Sequence, residues 1–157
     1  MLAEGTGPTW PDVKAAYWRN HRAVREQVQG RLAQRNPRQS DDGPDPDFWA
    51  WEYINALWRT GDRAALDRLV DLADSAPDAD DLAYLGAGPV EDLVRVFGEL
   101  LIDNIEEAAR RSPSFLRALQ GMYPTLIPES IRVRLLPLIP ATSPENRVRG
   151  QRGKAPL

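Results

Sequence analysis

Apolar positions recur along most of the chain at intervals of three and four, the period of a helix with one buried face. Trp10, Val13, Tyr17, Val24, Val28 and Leu32 form such a stripe in a first helix, predicted from Pro11 to Ala33. Thr9, with Asp12 three residues on, has the form of a capping box, and Pro11 suits the first turn. Residues 34–44, QRNPRQSDDGP, break the pattern and predict a linker. A second helix is expected to open at Asp45-Pro46 and to end at Thr60-Gly61. At ~100° per residue, Trp49, Ala50, Trp51, Tyr53, Ile54, Ala56, Leu57 and Trp58 cover an arc of ~220°. Phe48, Glu52, Asn55 and Arg59 take the remainder. So wide an apolar arc predicts a helix buried on most sides, at the centre of the core, or one that leaves a tryptophan exposed as an interface anchor.

Helix signals continue with firm stops between them. Asp62 is a natural N-cap for a helix burying Leu66, Leu69, Val70 and Ala73, with Arg63 and Asp67 able to pair outside. Asp78 caps a short helix from Ala79 to Leu85, Asp81 stands where a capping box has its acid, and Gly86 is expected as a left-handed stop. Gly88-Pro89 then starts VEDLVRVF. Glu99 to Arg111 follows beyond Gly98, either as a separate helix or as the second half of one kinked rod. Ser112-Pro113 opens a helix carrying Phe115, Leu116, Leu119 and Met122. The segment IPESIRVRLLPLIP alternates like a strand at Ile131, Val133 and Leu135, but fits a helix at Ile127, Ile131, Leu135 and Leu138. A lone strand would have no partner, so a short helix ending near Pro137 is the expectation. The prediction is an all-α protein, a compact bundle of six to eight short antiparallel helices or a HEAT-like stack. Residues 1–40 form an N-terminal helical arm, 45–140 the main helical domain, and 141–157 a disordered basic tail.

Charge adds a second pattern. Residues 1–40 carry a net +4, residues 41–107 a net −14 and residues 108–157 a net +7. Either the basic ends fold back on the acidic middle, or the charges are solvated helix faces, or the middle presents an acidic surface to a basic partner. The chain has no cysteine, which excludes disulfides, thiolate metal sites and a cysteine nucleophile. The N-terminus has no signal-peptide pattern and no apolar run reaches the ~20 residues of a membrane span. A cytoplasmic protein without membrane contact is expected. The acidic body disfavours nucleic-acid binding.

The strings DPDFWAWEYINAL (45–57), LAYLGAGPVEDLV (82–94) and IDNIEEAARRSPSFLRAL (102–119), with the Gly-Met-Tyr that follows, resemble an uncharacterised family of bacterial domains of unknown function. The resemblance runs from Asp45 to about Tyr123. It implies a small helical domain, and supplies no catalytic residue. Glu99 stands where the family often has a proline.

Candidate chemistry is sparse. His21 is the single histidine, so a triad or a two-histidine metal site has at most one donor; at the edge of the apolar stripe it is expected to be a packed residue. Asp41, Asp42, Asp45 and Asp47, and then Asp78, Asp80 and Asp81, cluster at helix starts, where acids oppose the helix dipole; neither cluster has calcium-loop spacing. Gly86-Ala87-Gly88-Pro89 precedes a helix but is followed by Glu91 and Asp92, which would repel phosphate. No metal or cofactor is expected.

The leading expectation is a non-enzymatic protein–protein interaction module with an acidic surface. One form of it is an immunity-type protein that neutralises a basic toxin, an analogy of charge and size. The alternative is a carboxylate-based enzyme or small-ligand binder with a cleft between the second and fifth helices. Trp49, Glu52, Tyr84, Glu91 and Asp92 are the candidate binding residues for these functions.

Overall fold

A computed structural model describes residues 7–33, 43 and 45–139. The linker and the basic tail of the sequence pattern fall almost wholly outside these residues. The described chain is all-α. Its helices are α1 (Trp10–Ala33), α2 (Phe48–Trp58), α3 (Arg63–Asp74), α4 (Ala79–Leu85), α5 (Glu91–Arg111), α6 (Pro113–Gln120) and α7 (Glu129–Leu135). A π turn, Gly86–Val90, kinked at Gly88 where φ and ψ are −119° and −112°, joins α4 to α5, and a 3₁₀ turn, Pro124–Leu126, precedes α7. No strand occurs among the described residues, and the ambiguous segment before Pro137 is helical.

Most starts follow from local chemistry. Thr9 and Asp12 form the capping box of α1, the Thr9 amide donating to Asp12 at 3.0 Å. Asp62 accepts the Ala65 amide at 2.8 Å, Asp78 that of Asp81 at 2.9 Å, and Ser112 that of Phe115 at 3.0 Å. Each satisfies an amide the first turn leaves without a helical partner. The start of α2 differs from expectation. Asp45-Pro46 lies in a turn ahead of it, Asp45 Oδ1 accepting the Asp47 amide at 2.7 Å, and the helix begins at Phe48. Gly61 ends α2 with φ +65°, the left-handed conformation glycine adopts without steric cost.

The core centres on α6, which packs against α3, α4, α5 and the π turn. Phe115, Ala118 and Leu119 of α6 meet Leu66, Leu69, Leu85, Leu93 and Ile105 in one buried cluster. The first half of α1 joins that cluster through Val13, Ala16 and Tyr17, whereas Val24 and Val28 further along are exposed.

Gly86 is not a left-handed stop. Its φ and ψ are −62° and −45°, and the chain continues through the π turn into α5. Its requirement for glycine is steric, because a Cβ there would collide with the backbone carbonyl of Ala118 in α6. Nor does Gly98 break α5, which is continuous from Glu91 to Arg111. Gly98 instead lets Ile131 of α7 approach closely.

The larger correction concerns α2. It packs on α1, α3 and the π turn, so it lies at the edge of the bundle and not at its centre. Only Ala50, Ile54 and Trp58 are buried. The apolar arc is as wide as the sequence says, but the fold covers only part of it.

Candidate functional site

The sequence-derived site residues fall in three places. Trp49 and Glu52 share α2, three residues apart and therefore neighbours on its surface. Tyr84 lies on α4, its ring stacked on His21 with centroids 3.9 Å apart. Glu91 and Asp92 open α5 and are engaged separately. Glu91 is buried and accepts the Tyr123 amide at 2.7 Å, while Asp92 pairs with Arg95 at 2.8 Å. Among the described residues no hydrogen bond or ion pair joins Glu52, Tyr84, Glu91 or Asp92 to one another.

Part of the net −14 of the middle segment is met by cations of the flanks. Lys14 pairs with Asp71 at 2.9 Å, Arg19 holds Asp47 through two bonds of 2.9 Å, and Arg134 bridges Asp103 at 2.7 Å and Glu106 at 2.9 Å. Asp47 lies below its ordinary pKa because of the Arg19 hydrogen bonds, and Asp71 lies below its own because Lys14 and Trp10 donate to it. These contacts bring cations of α1 and α7 onto the acidic middle, as folding back of the flanks would.

Glu52, one of several acids without an ion pair among the described residues, stands among exposed rings on α2. Phe48, Trp49, Trp51 and Tyr53 are exposed by 36–42%. The Phe48 and Trp51 rings stack at 5.2 Å, and Tyr53 meets Trp10 of α1 at 6.5 Å. Glu52 is exposed in their midst and is the one charged residue between Phe48 and Trp58. It has no ion pair among the described residues. The outward side of this helix, where a surface helix is ordinarily polar, is thus aromatic with a lone carboxylate.

The second cluster lies between α1 and α4, and sequence reasoning missed it. Trp10, Lys14, Trp18, His21 and Arg25 recur at spacings of four, four, three and four along one face of α1. They meet acceptors in the same chain order on α3 and α4. Trp10 and Lys14 donate to Asp71, Trp18 to Ser75 at 3.0 Å, and His21 Nε2 lies 2.9 Å from Asp81. Arg25 lies 3.4–3.7 Å from Asp78, Asp80 and Asp81. The run of donors along one face of α1 was the available signal. Asp81 does not complete a capping box, because its carboxylate turns to His21.

His21 and Asp81 are both buried. Burial lowers the His21 pKa from its ordinary 6.5, against the pull of Asp81. Burial, then the Asp78 charge, raises that of Asp81 from 3.8. Tyr17 Oη, Asn20 Nδ2 and His21 Nδ1 are buried without a partner among the described residues. His21 thus has Asp81 as its hydrogen-bond partner, and among the described residues no hydroxyl group meets its other nitrogen.

These shifts have opposite signs. The unfolded chain takes a proton at His21 near pH 6.5 while the folded chain resists it. Stability therefore falls as the pH drops below 6.5 and levels off beneath the folded value. Asp81 takes its proton earlier when folded, so it returns stability as the pH falls further towards 3.8. Urea unfolding is expected to show lower stability at about pH 5.5 than at about pH 7.5, and a smaller difference in His21→Gln. A parent profile flat over that interval would contradict the assignment.

Among the described residues no helix is long and apolar enough to cross a membrane, and no three His, Cys, Asp or Glu side chains are grouped to hold a metal ion. The model of a family of unknown function, DUF6869, matches residues 37–139, so the chain belongs to that family. Neither the curated proteins nor the solved structures gave a match to the chain. The matched span contains α2 and the aspartates of α4 and begins after α1, so His21 and Arg25 lie outside it.

Proposed function

We propose that this member of the family is a protein–protein interaction module that docks a basic segment of a partner protein on the outward face of α2. The observation that carries this is the set of four part-exposed aromatic rings around one unpaired carboxylate. Indole and phenyl faces attract cations, Arg above all, and Glu52 supplies a formal charge to pair with the same group. Aromatic residues grouped on a surface are the usual anchors of interfaces. The acidic-surface idea is thereby narrowed from the whole middle segment to Glu52 and its aromatic neighbours. An immunity-type role, with a basic toxin as the partner, is one special case.

Selection of random 12-residue peptides on the immobilised protein tests this. Selected peptides are expected to combine Arg or Lys with an apolar residue, and to bind the double variant Trp49→Ala/Glu52→Gln at least tenfold more weakly. Truncation of an interface anchor costs about 2 kcal/mol, which exceeds tenfold. Peptides lacking basic residues, or binding the double variant equally well, would refute the proposal.

A further inference from the structure

Beside the His21–Asp81 pair a cleft of about 260 Å³ opens between α1 and the start of α4. Arg22, Arg25, Glu26, Gln29, Pro77, Asp78 and Asp81 line it. We propose that this cleft binds a small zwitterion, an α-amino acid or a molecule carrying the same two charges.

The lining is polar and carries both signs. Arg22 has no ion pair among the described residues, and Arg25 is spread over three aspartates with no contact shorter than 3.4 Å. A carboxylate placed between two such guanidinium groups gains the charge-assisted bonds that neither Arg makes fully within the chain. Facing them from the start of α4 are Asp78 and Asp81, and Glu26 stands beside them on α1. Asp81 is 6% exposed yet borders the cleft. His21 and Arg25 approach its Oδ1, and the Asp78 carboxyl group lies within hydrogen-bond reach of the Asp81 carboxyl. Two adjoining carboxyl groups that crowd one another are an acceptor for an ammonium group, which relieves their repulsion, and His21 behind Asp81 fixes its orientation.

The mixture selects against simpler ligands. A lone anion would meet three carboxylates, and a lone cation would meet two guanidinium groups, so each would gain one contact set and be repelled by the other. The volume lies below the usual range for drug-sized ligands, which suits a molecule of a few heavy atoms.

The test is ¹H–¹⁵N NMR titration of the full chain with glycine, serine and glutamate, with acetate and methylammonium as single-charge probes at matched ionic strength. Saturable shifts at the amides of Arg22, Arg25, Asp78 and Asp81 are expected with the zwitterions and not with either single-charge probe. In Arg22→Ala the affinity is expected to fall about tenfold, the loss of one charge-assisted bond. Arg22 is exposed, so this variant should melt with the parent; Glu26→Gln, also exposed, is a second variant expected to bind more weakly. The proposal is overturned if none of the amino acids gives saturable shifts up to about 10 mM. It is also overturned if acetate or methylammonium reproduces the shifts, or if both variants bind as tightly as the parent.

Discussion

Gly86→Ala is expected to destabilise the protein by about 3 kcal/mol or more, and to lower Tm by roughly 10 °C. The added Cβ would sit against the carbonyl group of Ala118, and both parties to the clash are backbone. No rotamer change relieves it. Either α6 moves away from α4 or the π turn opens, and both disturb the packing around Leu85, Phe115 and Leu119. The same crossing is tight on its other side, where a Cβ on Gly121 would press on the backbone of Ala83. Gly30→Ala is the control. It lies in an exposed part of α1 with nothing within 4 Å of a Cβ, and should stabilise by about 0.5–1 kcal/mol. Thermal unfolding of the two variants beside the parent checks the contrast in sign. An unchanged Tm for Gly86→Ala would show that α4 and α6 do not cross as closely as described.

The second large effect separates aromatic residues that hold the fold from those available for function. Phe115 is fully buried at the centre of the α6 packing. Phe115→Ala should cost about 3–5 kcal/mol through lost burial and a cavity. Trp49 is a larger side chain, but 36% of it remains exposed on a helix at the edge. Trp49→Ala should cost about 1 kcal/mol or less, in the range of surface changes. Urea unfolding measures both. Comparable losses would mean that α2 is as central as its hydrophobic arc alone suggests, and would remove the case for a docking face.

That contrast marks how much of the fold was legible. Element starts were readable because they depend on neighbours three residues away, as at Thr9, Asp62, Asp78 and Ser112. Periodicity also placed Leu66, Leu69, Leu93 and Phe115 inside. It placed most of the α2 arc inside, with one tryptophan at most left out, because a hydrophobic arc reports which side chains prefer burial and not whether the fold has elements enough to cover them. Gly86 was assigned to conformational freedom, whereas its role is the close approach of a distant backbone, which no local pattern encodes. Gly98 was similar, since its partner Ile131 is far along the chain. The candidate site was legible only in part. Trp49 and Glu52 share a surface because they share a helix. Tyr84, Glu91 and Asp92 were grouped by chemistry, and packing gave each a different partner. The His21–Asp81 pair required matching the donor spacing on α1 to acceptors on α3 and α4, a comparison between elements whose pairing sequence alone did not supply.

The docking role of α2 is tested most directly by photocrosslinking in cells that express the protein, with a photoreactive amino acid at position 49, 52, or, as a control on another exposed helix face, 99. The account predicts one discrete protein adduct from positions 49 and 52, none from 99, and a crosslinked partner peptide containing Arg or Lys beside the attachment point. Adducts of equal yield from position 99, no adduct from either α2 position, or attachment within an acidic segment would contradict it.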